Sequence, residues 1–398
     1  MQARSAAVAL FAMLFAAGAA HGQGVIKIGD IDSYKAMAAN MGPYRKGMDL
    51  AVEEINATGG VLGKKFEIVS RDDGANPGDA VRVADDLVLK ERVDVLSGTI
   101  LSHVGLAITD YAKQHKVFFL ASASLSDKLV WESGNRYTFR LRPSTYTHAA
   151  VMVPHAVKLK RKRWAFVYPN YEYGQSAVAT FKELLKRQQP DVEFVADLAP
   201  ALGKVDAGSI VQALSDAKPD GVFNVLFGAD LAKFVRESKT RGVFNGVEVM
   251  SLLTGEPEYL DPLRDDAPEH WYVTGYPWYL IKTPEHLAFL DAYQKRNNDY
   301  PRISSVVGYA TIKALAAGIA RAGSTAADAL IKAFEGLEFI SPSGKVAFRA
   351  IDHQSTLGLY VGETALQDGR GVMTSYEYLD GAAFQPSDEE VRTKRPAD

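Results

Sequence analysis

Apolar positions along the chain alternate between two periods, and the alternation predicts strands and helices following one another. Val25-Ile26-Lys27-Ile28-Gly29 is a short β-branched run ending in Gly. A helix is expected from about Pro43, with proline in its first turn and Tyr44, Met48, Val52 and Ile55 on one apolar stripe. Thr58-Gly59-Gly60 stops it, and Phe66 to Val69 makes the next strand. The polar loop from Asp72 to Gly78 leads into a helix at Asp79. Strand Val93 to Leu96, a helix from Ser102 and strand Val117 to Leu120 continue the series.

A second series begins after Arg140-Leu141-Arg142-Pro143. Helix Thr147 to Lys158 precedes strand Trp164 to Val167, and the loop Tyr168 to Gly174 feeds a helix reaching about Gln188. Strand Phe194 to Ala196, helix Ser209 to Ala217, strand Gly221 to Val225, helix Asp230 to Lys239 and strand Val247 to Met250 follow. A long irregular stretch rich in Pro, Asp and Glu comes next. Beyond Trp271 the pattern gives helices over Pro284 to Arg296, Ser305 to Ala322 and Ala326 to Glu335. The segment from Leu337 to Phe384 alternates like β-hairpins, with turns at Pro342-Ser343-Gly344 and Gly369-Arg370-Gly371. Strands alternating with helices of this length imply mostly parallel sheets. The halving into two βα series implies two similar doubly wound, Rossmann-like α/β lobes.

The first residues set the compartment. Arg4, the Ala-rich apolar run Ala6 to Ala20 and the small residues of Ala20-His21-Gly22 form a secretory signal peptide, cleaved before Gln23. The run is shorter than the ~20 residues of a bilayer span, and no later segment reads as long and apolar enough to span a membrane. The expected product is therefore exported, as in bacteria. A hydrophobic content of 47% and a charged content of 23% are those of a globular protein. The net charge of −3, with both signs interspersed, argues against nucleic acid or an anionic membrane as the main partner. With no Cys, an exported chain of this size must rest on its core rather than on disulfides.

Enzyme chemistry finds little support. Thr58 to Lys65 resembles a phosphate loop only in passing, because its glycine spacing is wrong and it runs from helix to strand, which makes it a tight turn. There is no G-x-S-x-G elbow and no H-E-x-x-H pair. The eight His are scattered, and the acidic pairs Asp72-Asp73 and Asp265-Asp266 read as solvated loops. No cofactor and no metal is called for.

A binding function needs polar groups at strand-to-helix junctions, since open α/β sheets take ligands beyond the carboxyl ends of their strands. Gly98-Thr99-Ile100-Leu101-Ser102-His103 is one such junction, with Ser102 at an N-cap position and a helix dipole behind it. Ala121-Ser122-Ala123-Ser124-Leu125-Ser126 is another, small enough for close backbone approach. These Ser residues serve equally well as plain helix caps. Tyr168, Tyr171 and Tyr173 crowd one loop of the second series. Phe227 and the segment Leu252-Leu253-Thr254-Gly255 follow later strands, and Tyr276-Pro277-Trp278-Tyr279 stands near a return between lobes. Small-molecule sites are clefts lined mainly by such apolar and aromatic groups.

Several of these pieces, in this order, resemble a known family. They are Ile26-Lys27-Ile28-Gly29, the helix end Gly47 to Asn56 with Gly59-Gly60, and Asp72-Asp73 before Pro77. Tyr173-Gly174, Gly255, Tyr276 and Val307-Gly308-Tyr309 continue the match. The chain resembles the type I periplasmic solute-binding proteins of the branched-chain amino acid transporter group. The resemblance implies two lobes joined by three crossings, near Pro143, Pro277 and Ala350. By this reading 1–22 is the signal peptide, 23–142 with 277–350 the N-terminal lobe, and 143–276 with 351–390 the C-terminal lobe. Residues 391–398 form a polar tail. The implied protein is a periplasmic monomer that closes on a small-molecule ligand and delivers it to an ABC permease with its ATPase subunits.

Ligand roles carry over position by position. The Ser that holds a ligand carboxylate falls on Ser102, beside His103, and the backbone-donating junction falls on Ala123 and Ser124. The aromatic residues fall on Tyr173, with Tyr171, and on Phe227. Two departures stand out. Leu125 occupies the place of a Thr, and the acidic residue facing a ligand ammonium falls on or near Leu253, beside Thr254, with Glu256 a few residues on. Burying an ammonium without a carboxylate is costly. The expected ligand is therefore an aromatic or aliphatic carboxylate, or an amide, rather than a zwitterionic amino acid. A ligand sensor acting through a separate signalling partner, and a secreted α/β enzyme, are the competing readings.

Overall fold

The computed structural model describes residues 24–396. The expected signal peptide therefore lies outside the described residues, as do residues 397–398. Among the described residues the first βα series runs β1 (Val25–Asp32), α1 (Ala38–Ala57), β2 (Lys65–Asp72), α2 (Pro77–Asp85), β3 (Val95–Gly98), α3 (Ser102–His115), β4 (Phe119–Ala121) and β5 (Thr138–Arg140). The strands form one sheet in the order β2-β1-β3-β4-β5, parallel throughout. The second series runs α4 (Thr145–Leu159), β6 (Arg163–Val167), α5 (Glu172–Gln188), β7 (Glu193–Leu198), α6 (Ala207–Ala217), β8 (Gly221–Asn224), α7 (Gly228–Arg241), β9 (Glu248–Gly255), α8 (Pro257–Leu260) and β10 (Tyr272–Gly275). Its strands lie in the order β10-β9-β8-β6-β7, again parallel.

The chain then returns to the first sheet. Helices α9 (Pro284–Asn297) and α10 (Ile303–Ala322) pack beside α1, while α11 (Ala327–Phe334) and the hairpin β11 (Glu338–Ser341) with β12 (Gly344–Ala347) lie against α10. A last passage adds β13 (Leu359–Gln367), antiparallel to β10, together with β14 (Arg370–Met373) and β15 (Glu377–Leu379). The doubly wound α/β class is thus present twice. In each sheet the strand order reverses at one point, between β1 and β3 in the first and between β6 and β8 in the second. The loops leaving these strands open a crevice at their carboxyl ends.

Several elements differ from the sequence expectation. Helix α1 begins at Ala38, so Pro43 lies inside it rather than in its first turn. The Ala- and Met-rich segment before Pro43 is helix-forming, and the missing proline N–H frees only one carbonyl near the helix start. Strands β5 and β10 went unrecognised, the first because a fully buried Arg140 breaks its apolar pattern. Residues 391–394, expected in a polar tail, belong to helix α12 (Asp388–Lys394), which buries Val391. Helix α10 has the length and composition of a membrane span, contrary to the expectation that no later segment would. Of its most apolar window 67% is buried inside the fold, where it acts as a core helix. Asp73, read as solvated, is buried with Asp30 and Asp32. It accepts hydrogen bonds from Ser33 Oγ at 2.7 Å and from the Ala75 amide at 2.8 Å.

The glycine-rich turn after α1 is set by geometry. Gly60 has φ +79°, and a side chain there would collide with the Lys64 carbonyl. Glycine also lets α1 and α10 touch along their backbones. A Cβ on Gly47 would sit 2.0 Å from the Ser305 carbonyl oxygen, and one on Gly308 would sit 2.1 Å from that of Tyr44. Backbone carbonyls cannot swing aside as side chains do. Gly308→Ala is therefore expected to force the helices apart and lower the unfolding free energy by about 1–3 kcal/mol. The check is the urea midpoint at constant m, and an unshifted midpoint would refute the close-contact account.

Candidate functional site

The crevice between the two sheets narrows to a small cavity lined from both lobes. Its first-lobe wall is built by the junctions after β3 and β4. The N-cap of α3 is Leu101, so Ser102 is the first helical residue and does not cap the helix as expected. Its hydroxyl oxygen instead accepts the amide N–H groups of Leu125 at 3.3 Å and Ser126 at 3.2 Å. Ser102 still lines the cavity, with Ile100, Leu101, Ala123, Leu125 and Met37. Ser124 does not, because its hydroxyl bonds Thr99 Oγ1 at 2.8 Å and the Thr99 carbonyl at 3.0 Å. That pair ties the two junctions together. His103 also stands outside the wall, its Nε2 3.4 Å from the Ala75 carbonyl oxygen and its ring edge-on to Tyr171 at 5.5 Å.

The second-lobe wall is aromatic. Tyr171 and Phe227 are the residues before the first turns of α5 and α7, so their side chains project from the strand ends. Tyr171, Tyr173 and Phe227 meet at centroid distances of 5.9–6.4 Å, and Tyr259 adds a fourth ring 6.2 Å from Phe227. The Tyr173 hydroxyl is buried without a hydrogen-bond partner. Leu253 also lines the cavity and sits in the left-handed region at φ +65°. There the β9–β10 register shifts, and the Leu253 amide donates to Thr274 Oγ1 at 2.8 Å. Such strain persists only where the surroundings hold it. Thr254 faces away and bonds Ser251 Oγ at 2.6 Å.

Seven of the ten expected site residues thus line one cavity, while His103, Ser124 and Thr254 support it from behind. Sequence reasoning missed Met37, Ile100, Leu101, Arg142 and Tyr259. Arg142 stands at the first crossing between lobes, and the only sequence signal for it was its place in Arg140-Leu141-Arg142-Pro143. It lines the wall with a buried side chain whose guanidinium pairs with Glu256. Burial opposes the Arg142 charge, but Glu256, Tyr259, Glu258 and Tyr173 outweigh it and keep the group above its ordinary value. Glu256 behaves differently. Burial pushes its carboxyl up to about 8, with Arg142 only partly offsetting and Glu258 adding repulsion.

Contacts across the crevice hold the lobes in a closed arrangement. Asn40 donates to the Tyr259 hydroxyl at 3.0 Å, and the Ser304 amide to Glu258 Oε1 at 2.8 Å. Ser126 Oγ donates to Glu172 at 2.7 Å, and Lys128 pairs with the same carboxylate at 3.0 Å. Among the described residues no group of three or more His, Asp or Glu is placed to hold a metal ion. The arrangement can enclose a solute, orient it by a cation and hydroxyls, and exclude water from an aromatic wall.

Comparison with known proteins adds the following. A family model described as periplasmic binding protein matches residues 25–370. The leucine-, isoleucine-, valine-, threonine- and alanine-binding protein of Pseudomonas aeruginosa is 26% identical over 311 residues, 76% of this chain and 80% of that one. An ABC transporter solute-binding protein of Rhodopseudomonas palustris, solved with p-hydroxybenzoic acid, superposes with a TM-score of 0.81 at 22% identity, covering 93% of this chain and 100% of that one. Another from the same species, solved with 3,4-dihydroxybenzoic acid, gives 0.79 at 22% identity, covering 90% and 98%.

Two outcomes follow from the geometry. Ser102→Ala removes the acceptor of two buried amides, so an unfolding loss of about 1–3 kcal/mol is expected, measured by chemical denaturation. For Glu256 the folded chain keeps a proton that the unfolded chain releases near its ordinary 4.5. Its stabilising contribution is therefore full below that pH and disappears as pH rises through about 8. Wild type should lose stability relative to Glu256→Gln across this window, and parallel pH profiles of the two proteins would contradict it.

Proposed function

The chain belongs to the periplasmic binding protein family, and from that premise we propose that it is the solute-capturing component of an ABC importer for a small aromatic carboxylate. One observation carries the ligand class. The cavity's lining residues include a guanidinium and a cluster of aromatic rings, but among them no carboxylate. A zwitterionic amino acid would leave its ammonium unpaired in that wall, at a cost of several kcal/mol. A benzoate-like acid meets the opposite conditions. Its carboxylate finds Arg142 and the Ser102 hydroxyl, and its ring finds Tyr171, Tyr173, Phe227 and Tyr259, which favour edge and offset stacking. The hydroxybenzoates held by the two Rhodopseudomonas proteins support this class, while the name of the Pseudomonas relative points to aliphatic amino acids.

The mechanism is capture by closure. Contacts from both lobes converge on one cavity, so a solute binds the closed arrangement better than an open one and shifts the population toward it. The closed protein then docks on a permease with its ATPase subunits, in the periplasm, and releases the solute unchanged. No step requires a cofactor, and the protein acts as a carrier rather than an enzyme.

Benzoate and 4-hydroxybenzoate should each raise the melting temperature by the mass-action increment expected of a ligand that binds only the folded state, and leucine should not. Saturating benzoate should also lower the radius of gyration in solution scattering. Stabilisation by leucine with none by the benzoates would reverse the assignment of ligand class. An unchanged radius of gyration with bound benzoate would argue against closure.

A further inference from the structure

We propose that Arg142 is the residue that selects an anionic solute, and that its partner Glu256 takes up a proton from solvent as the solute's carboxylate binds. This rests on the reading of the cavity as a carboxylate site. Arg142 and Glu256 have side chains only 6% and 3% exposed, so both lie out of water. Arg142 forms part of the cavity wall, whereas Glu256 stands behind it on the segment after β9. One guanidinium serves two carboxylates. Glu256 Oε1 faces Arg142, while Oε2 of Glu256 and Oε2 of Glu258 have no hydrogen-bond partner.

A carboxylate arriving on the cavity side competes with Glu256 for the same guanidinium. Three anions around one cation in a dry site repel one another strongly. The least costly response is for Glu256, the acid in direct contact with the guanidinium, to bind a proton on its free oxygen, turning an ion pair into a neutral hydrogen-bonded contact, while Glu258 keeps the Ser304 amide at 2.8 Å. The groups facing Glu256 are Arg142, Glu258, Tyr173 and Tyr259. Among these the tyrosines stay neutral, held well above their ordinary value by burial. His148, which feels Arg142, is held neutral by burial with its value pushed down to about 3. Glu256, pushed up to about 8 by burial, is the group placed to titrate under mild conditions.

The solute is thus taken up with a proton once the pH exceeds that value. Below it, Glu256 already carries the proton and Arg142 is available. Above it, the affinity for an anion falls about tenfold per pH unit, as one linked proton requires.

Benzoate is the probe, because it stays ionised throughout the range. Calorimetric titration in buffers of differing ionisation enthalpy should give proton uptake near zero per benzoate at about pH 6.5 and near one at about pH 9.5. Glu256→Gln should bind benzoate with an affinity independent of pH, tighter than wild type at the alkaline end, and with no uptake. Arg142→Met should weaken benzoate at least about thirtyfold at every pH. The double variant R142M/E256Q, which removes both buried charges together, controls for folding and should bind no better than Arg142→Met. Benzoate binding without proton uptake, or a pH slope kept in Glu256→Gln, overturns this inference and leaves the ligand class standing. Failure of benzoate to bind wild type at any pH overturns both.

Discussion

The buried guanidinium of Arg140 is the contact on which the cleft depends. It lies in β5 with no exposure, at the point where the chain leaves the first lobe. Its Nε donates to Gln354 Oε1 at 2.5 Å, and its Nη1 to the carbonyls of Leu125, at 3.0 Å, and Ser126. The Arg140 backbone pairs with His353 and Ser355, so the first and last crossings run side by side. The loop that forms one cavity wall is thereby held from its carbonyl side, while Ser102 takes the amides of the same two residues. The Leu125–Ser126 peptide is thus held at both edges, its carbonyl by Arg140 and its amide by Ser102. Burial lowers the Arg140 value to about 10 against the opposing pull of Asp127 and Asp352, which leaves it charged at neutral pH. Removing such a cation would strand two carboxylates and several carbonyls at once.

This dependence explains which parts of the protein were legible in sequence. The alternation of strand and helix follows from the burial of both faces of a parallel sheet, and that pattern is local. It located most elements to within a few residues and identified the junctions at the switch points. What it lost were elements defined by polar burial. Strand β5 reads poorly because its last residue is the buried Arg140, and β10 follows a loop dense in Pro, Asp and Glu. The start of α1 was missed because Pro43 looked like a first-turn signal, although the helix tolerates it one turn and a half in.

The cavity was legible in part for the same reason. Ser102, Ala123, Leu125, Tyr171, Tyr173, Phe227 and Leu253 sit directly at strand ends, where topology alone aims them inward. Ser124 and Thr254 have the chemistry of ligand contacts, but each hydroxyl is spent on a neighbouring junction. Arg142 and Tyr259 come from a crossing and from the short helix α8, and only the folding of two distant segments brings them to the wall.

The bulge in β9 decides which side chains line the cavity from the second lobe. Where the β9–β10 register shifts, Leu253 takes a left-handed conformation held by Thr274, and its apolar side chain turns into the cavity. Three residues later the chain starts α8, which carries Glu256 behind Arg142 rather than into the wall. The Glu256 carboxyl is thus set against a protein guanidinium and not in the wall. That cation belongs to a residue lining the cavity, and the acid behind it tempers its field. With the acid in the layer beneath the wall, the lining of the cavity holds a cation and no carboxylate. This arrangement is set within the few residues between the end of β9 and the first turn of α8, where the fold itself is unaltered.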